Sequence, residues 1–239
     1  MRSIVTTNRS RGALKRVWLQ LPYSHRLEYA VALPKLRVWA AERADGVPVF
    51  MTRRELFADV AAAAGHPSVY LEFGVAGGGS MRAWAEADSD PRSVLIGLDT
   101  FTGLPEAWTS WRIAPPGKFN AGGIPPVIDD SRVSFRIGLF QETLPGLLRE
   151  LPELLQGRAL VVHMDADLHS STIYALTQLD PFLPGAIVVF DEWANPMHEF
   201  RALHDYCSAY RRDYEVLAVW RHLRKAALRI KGSPSPDRS

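Results

Sequence analysis

The residues able to do chemistry in this chain sit at the ends of short apolar runs. Leu71-Glu72-Phe73-Gly74-Val75-Ala76-Gly77-Gly78-Gly79-Ser80 passes from such a run through a glycine-rich turn into helical spacing. Glycine lets a ligand approach the backbone closely, and a helix start offers free N–H groups. Glu72 would repel a pyrophosphate there and suits a positively charged, amino-acid-like ligand. Ile96-Gly97-Leu98-Asp99 ends a second run, 27 residues after Glu72. A carboxylate at that point is placed to bond ribose hydroxyls; capping the following segment is its other reading. Two further runs, Leu160-Val161-Val162-His163-Met164-Asp165-Ala166-Asp167 and Ile187-Val188-Val189-Phe190-Asp191-Glu192, end in two acids each. Four carboxylates in one small volume repel one another unless they are protonated, paired with basic groups or bound to a divalent cation. Oxygen-only donors favour a hard ion such as Mg2+ over Zn2+. Taken singly, Asp167 or Asp191 reads equally well as a helix cap. His163 and His169 can add ligands, although a lone histidine on a buried strand is more often a core residue.

These positions need elements to hold them. The runs Val69–Val75, Val94–Asp99, Val133–Gly138, Leu160–Asp165 and Ile187–Asp191 are nearly continuous in apolar residues, as strands buried on both faces of a parallel sheet should be. Helical spacing lies between several of them, at Ser80–Glu86, Glu142–Leu155 and Thr172–Leu179, and again around His198–Tyr210. Glu215–Trp220 and Ala226–Ile230 are close enough to form a hairpin, which puts one antiparallel strand into the sheet. Strands alternating with crossover helices predict an α/β, doubly wound, mostly parallel sheet with helices on both faces. Upstream, Arg26–Arg43 has helical spacing interrupted by Pro34. Thr52 with Glu55 is a capping box for a helix reaching Ala64. The expected organisation is a helical extension over 1–46, the main domain over 47–231 and a disordered tail over 232–239, with 1–22 weakly structured. Residues 101–132 break the rhythm, with five prolines, four glycines and the aromatics Phe101, Trp108, Trp111 and Phe119. A loop of that length in a compact domain is usually functional or disordered, and a lid over a ligand is the expectation; a surface excursion is the other.

Composition narrows the function classes. With 47% hydrophobic and 23% charged residues the chain can bury a sizeable core, which excludes disorder. Cys207 is the single cysteine, so no intramolecular disulfide forms, as fits a reducing compartment. No apolar run approaches the ~20 residues that span a bilayer. The basic N-terminus has no apolar segment before Tyr23, so a cytoplasmic protein is expected. The net charge of +2 is unevenly spread: residues 71–210 hold 9 basic against 18 acidic residues, while both ends are basic. An acidic centre suits a cation or a cationic cofactor, and the basic ends lack the aromatics and glycine loops of a nucleic-acid binder.

The motifs, taken together, have a family likeness. Glu72-Phe73-Gly74-Val75 with Gly78 and Ser80, then Gly97-Leu98-Asp99-Thr100-Phe101-Thr102-Gly103-Leu104-Pro105-Glu106, resemble the class I S-adenosylmethionine-dependent methyltransferases and, more narrowly, the macrocin O-methyltransferase family. The likeness continues through Gly117-Lys118-Phe119, Gly138-Leu139-Phe140, Asp165-Ala166-Asp167-Leu168-His169-Ser170-Ser171-Thr172 and Phe190-Asp191-Glu192, covering about residues 47–210. It implies a seven-stranded Rossmann-like fold and methyl transfer from S-adenosylmethionine to a hydroxyl of a small natural product or sugar. By the family pattern Glu72, Gly74, Gly78, Ser80, Asp99 and Phe140 fall at the cofactor, Asp165, Asp191 and Glu192 at Mg2+, and Asp167 at the general base. Two positions depart from the pattern. Ala76 stands where the broad class has its middle glycine, and His169 stands where a tyrosine is common, so His169 or Asp167 accepts the substrate proton. A homodimer through Leu27–Trp39 fits this reading, with no membrane partner. Two rivals remain. One is a metal-dependent nucleotide-sugar glycosyltransferase using Asp165-Ala166-Asp167; the other is a non-catalytic cofactor-binding module.

Overall fold

Val69, Leu71 and Phe73 point to one side of their strand and Tyr70 and Glu72 to the other, yet all five are buried, because helices cover both faces. In the computed structural model, which describes residues 24–232, this strand is β2 (Ser68–Phe73), near the middle of an eight-stranded sheet. The others are β1 (Val49–Phe50), β3 (Val94–Asp99), β6 (Val133–Ile137), β7 (Ala159–Met164), β8 (Ile187–Phe190), β9 (Asp213–Trp220) and β10 (Ala226–Lys231). Their order is β1-β9-β10-β8-β7-β2-β3-β6. Only β10 runs against the rest, paired antiparallel to both β8 and β9. The doubly wound fold with one reversed strand is therefore as the sequence predicts. The count differs by one, because the two-residue strand β1 pairs with the end of β9 at the sheet edge; two residues are too short to carry a period.

The chain leaves β2 towards β3 and β6, then returns to the other side of β2 as β7, so the strand order reverses between β2 and β7. Helices α1 (His25–Arg43), α4 (Phe140–Leu154), α5 (His169–Leu179) and α6 (Glu199–Tyr210) pack on the face carrying Leu71, Val162 and Val188. Helices α2 (Arg53–Ala64) and α3 (Gly79–Ala87) cover the face carrying Tyr70, Val161 and Val189. The capping box of α2 is present, with Glu55 N–H donating to Thr52 Oγ1 at 3.2 Å and Thr52 N–H to Glu55 Oε2 at 3.0 Å.

Pro34 does not interrupt α1, contrary to the expectation. The ring costs one backbone hydrogen bond, but it lies on the exposed side, where water can satisfy the freed carbonyl, while Leu36 and Trp39 hold the helix to the core. Trp39 Nε1–H donates to Tyr214 Oη at 2.8 Å, and its ring meets Trp193 at 4.9 Å. Among the described residues no helix is long and apolar enough to cross a membrane. The expectations for residues 1–22 and for the tail beyond Gly232 lie outside the described residues.

Candidate active site

Beyond the carboxyl ends of β2, β3, β7 and β8 lies a cavity of about 640 Å3, at the point where the strand order reverses. Such a crevice is where open α/β sheets bind ligands, and its volume suits a cofactor-sized molecule with room beside it. Gly74, Asp99, Phe140, Asp165, Asp167, Asp191 and Glu192 line it, so seven of the residues singled out in the sequence meet on one wall system. Glu72, Gly78 and Ser80 do not line it. Glu72 is buried behind the wall, accepting a 3.0 Å hydrogen bond from Tyr70 Oη. Gly78 adopts φ +74° beneath Pro126 and Ile128, where a Cβ would clash, and Ser80 is buried in the first turn of α3. His169 also lies outside: its Nε2 pairs with Asp205 at 2.9 Å on the outer side of α5 and α6.

The turn after β2 is held by backbone conformations with little freedom. Gly74 has φ +90°, and a Cβ there would fall on the carbonyl oxygen of Asp165, so this glycine is needed for strand approach. Ala76 has φ +46°, a left-handed conformation that explains why glycine is usual at this point of the class pattern. Asp99 fixes the same turn. Its Oδ2 accepts from the N–H groups of Val75 and Ala76, both at 2.8 Å, and its Oδ1 accepts from Phe101 N–H at 2.7 Å. A carboxylate has about four acceptor positions, so these three bonds leave about one, on Oδ1, for a ribose hydroxyl.

Asp167 lies at the centre of a tight three-residue turn, with φ +58° and Leu168 N–H donating to the Ala166 carbonyl at 2.6 Å. That conformation is costly for a side-chain-bearing residue and points to a functional constraint. Burial raises the Asp167 carboxyl to about 7, helped by the charges of Asp165 and Glu192. Burial and then Asp165 also push Glu72 and Glu199 well above the ordinary carboxylate range, and they raise Glu192. Burial and mutual repulsion thus make these carboxyls readier to take up a proton than ordinary ones.

Three ligand atoms, from His163, Asp165 and Asp191, lie within 4.8 Å of one another. Both ring nitrogens of buried His163 lack a hydrogen-bond partner, and burial drops its pKa to about 3, leaving it neutral and able to donate an electron pair. Two carboxylates with unsatisfied polar atoms beside them fit a divalent cation, and the His163 imidazole adds a nitrogen, the extra ligand that the sequence offers beside the carboxylates. Glu192 shares the cavity wall but is not one of those three.

Sequence reasoning missed several groups here. Glu199, fully buried at the start of α6, accepts the Glu192 N–H at 2.9 Å. Lys225, just before β10, forms an ion pair with Asp191, and burial lowers it to about 8. His198 was read only as the edge of a helix. Its imidazole contacts the Thr109 carbonyl at 2.6 Å, and Asn195 Nδ2 donates to the same carbonyl at 3.2 Å. Thr109 belongs to a hairpin, β4 (Trp108–Thr109) with β5 (Ile113–Ala114), inside the proline-rich segment that showed no periodicity. Gly103, Leu104, Pro105, Glu106 and Phe119 of that segment line the cavity.

Residues 127–220, which carry the metal and base candidates, match the profile of the macrocin O-methyltransferase (TylF) family. A curated relative from Streptomyces olivaceus is named 8-demethyl-8-(2,3-dimethoxy-alpha-L-rhamnosyl)-tetracenomycin-C 4'-O-methyltransferase. It is 32% identical over 181 residues, covering 68% of this chain and 69% of the relative. Solved structures that align include the O-methyltransferase TomG from Streptomyces achromogenes in complex with SAM, at 18% identity, coverage of 92% and 95%, and a TM-score of 0.47. Another is an O-methyltransferase from Bacillus cereus in complex with SAH, at 15% identity, coverage of 89% and 93%, and a TM-score of 0.44. With the curated relative matched at that identity over 68% of this chain and 69% of its own length, and the family profile matched over residues 127–220, the chain belongs to the macrocin O-methyltransferase family.

Proposed function

We propose that the protein transfers the methyl group of S-adenosylmethionine to a hydroxyl of a sugar or small natural product, with Mg2+ held by Asp165, Asp191 and Glu192 and with Asp167 as the base. The observation that carries this reading is the single cavity on which the glycine turn, Asp99 and the four strand-end carboxylates converge. A sulfonium is an activated methyl donor, so the chain has mainly to align nucleophile, carbon and sulfur and to exclude water. Negative walls favour the positively charged donor over the neutral product. One unit-charge pair at about 4 Å is worth about 4 kcal/mol at an effective dielectric of ~20. That exceeds the about 0.8 kcal/mol of a lost methyl contact, so charge drives release of the spent cofactor.

An alcohol is a weak nucleophile near neutral pH. Asp167, buried beside the acids, takes the hydroxyl proton as the oxygen forms its bond to the methyl carbon and the carbon–sulfur bond breaks. A divalent cation, when bound, acidifies the hydroxyl it coordinates. Elsewhere in the cavity lining Phe119 offers an apolar face, while Glu106 and Ser170, in contact with each other, and Ser171 offer polar groups suited to a polyhydroxylated acceptor. Residues 101–132 act as the lid that closes over it. The curated relative's tetracenomycin rhamnoside is the model for an acceptor of this chemistry.

The test is calorimetric titration with S-adenosylmethionine, followed by a screen of hydroxylated glycosides for methyl transfer with and without EDTA. One-to-one cofactor binding and EDTA-sensitive transfer are expected. No cofactor binding overturns the reading, and UDP-sugar binding in its place favours the glycosyltransferase. Transfer undiminished by EDTA removes the metal from it.

A further inference from the structure

The carboxylates of the cup have a use in the reading above; the cations lodged among them do not yet have one. Lys225 stands immediately before β10, with its side chain 6% exposed. Its ammonium pairs with Asp191 Oδ1 and lies 5.0 Å from the centre of the Trp220 ring. Arg53, the first residue of α2, brings Nη2 to 3.9 Å of the same oxygen. His163 Nε2 is 3.4 Å from it. Among the described residues Asp191 is the ion-pair partner within 4.0 Å of Lys225, and burying an ammonium is costly without such a partner. The pairing is therefore built into the fold.

Asp191 is also one of the three closely spaced donors with His163 and Asp165. A divalent cation and an ammonium on one carboxylate are like charges at short range, and each weakens the hold of the other. Resting on the metal-assisted reading above, we propose that Lys225 is a resident counter-cation that competes with a divalent cation for Asp191, with Arg53 as a weaker second, so that these two side chains set the cation affinity of the cup. The pair keeps Asp191 neutralised and oriented when no ion is present, and it yields when one binds.

The experiment is calorimetric titration of Mg2+ into the full chain at fixed pH and ionic strength, for wild type, Lys225→Met, Lys225→Arg and Arg53→Gln. Lys225→Met is expected to bind Mg2+ about tenfold tighter or more, Arg53→Gln about threefold tighter, and Lys225→Arg within about twofold of wild type. The thermal midpoint of Lys225→Met should fall without metal and recover on adding Mg2+. A lysine serving only to pack the hairpin predicts equal loss with and without metal and unchanged affinity, and that result overturns the proposal. Should Lys225→Met not fold, unchanged affinity in Arg53→Gln, whose side chain is one-third exposed, does the same. Mg2+ binding to no variant, wild type included, also overturns it, while S-adenosylmethionine titration of the same samples reports separately whether the methyl-transfer reading stands.

Discussion

Asp167 shows how much the backbone contributes at a single residue. Its φ of +58° turns the chain sharply between β7 and α5, and its carboxyl faces the cavity at 7% residue exposure. Replacing it by asparagine keeps size and hydrogen bonding but removes the carboxylate proposed to accept the proton. Asp167→Asn should therefore lower kcat by about 10^2- to 10^4-fold, with S-adenosylmethionine affinity within a few-fold of wild type. Single-turnover methyl transfer with parallel calorimetry checks both. The competing candidate, His169, is tied to Asp205, so His169→Gln should leave that rate within a few-fold. The acids were legible in the sequence because a charge ending an apolar run has few places to go in a buried sheet. Glu199 and Lys225 were not: nothing in Arg221–Lys231 distinguishes the one basic residue that turns inward from its solvated neighbours.

At the scale of elements, the proline-rich segment is an anchored strap. Its hairpin hangs on Thr109, whose carbonyl is contacted by the His198 ring and the Asn195 amide, with His198 also stacked against Trp108 at 6.1 Å. Lys118 lies over the rings of Trp108 and Phe119 at 4.0 and 4.4 Å. Removing the imidazole takes away a buried hydrogen-bonding group worth about 1–3 kcal/mol. His198→Ala should therefore speed limited proteolysis within 110–125 by about tenfold and raise the acceptor KM, while S-adenosylmethionine binding changes little. Protease time courses followed by mass spectrometry read this directly. The strap's existence was readable from its prolines and glycines, but its hairpin was not, because two-residue strands leave no periodic trace. Pro34 misled for a related reason: propensity marks a break that tertiary contacts of Leu36 and Trp39 override.

For the molecule as a whole, the alternation of strands and helices was enough to infer the winding and to put the chemistry at the reversal point. It could not say how distant segments are tied together. Asp180 is one such tie. Its carboxylate accepts from Arg212 Nε at 2.8 Å and Nη2 at 2.9 Å and from Tyr206 Oη at 2.7 Å, joining the end of α5 to α6 and the start of β9. The Arg212 bonds hold its carboxyl below the ordinary value. A folded-state carboxyl that is harder to protonate than the unfolded one stabilises the fold above about pH 4, and the gain is lost as the pH falls through the folded value. Asp180→Ala should cost about 1–3 kcal/mol near neutrality and less at pH 3, as urea unfolding at the two pH values will show. The clasp made by Asp99 on Val75 and Ala76 has a consequence of its own. One end of the crevice is shaped by those backbone bonds before anything enters, whereas the other is walled by the strap, proposed above as the lid. Ligands should then arrive in sequence, the nucleoside first onto the rigid ledge and the alcohol second, and the products should leave in the opposite order.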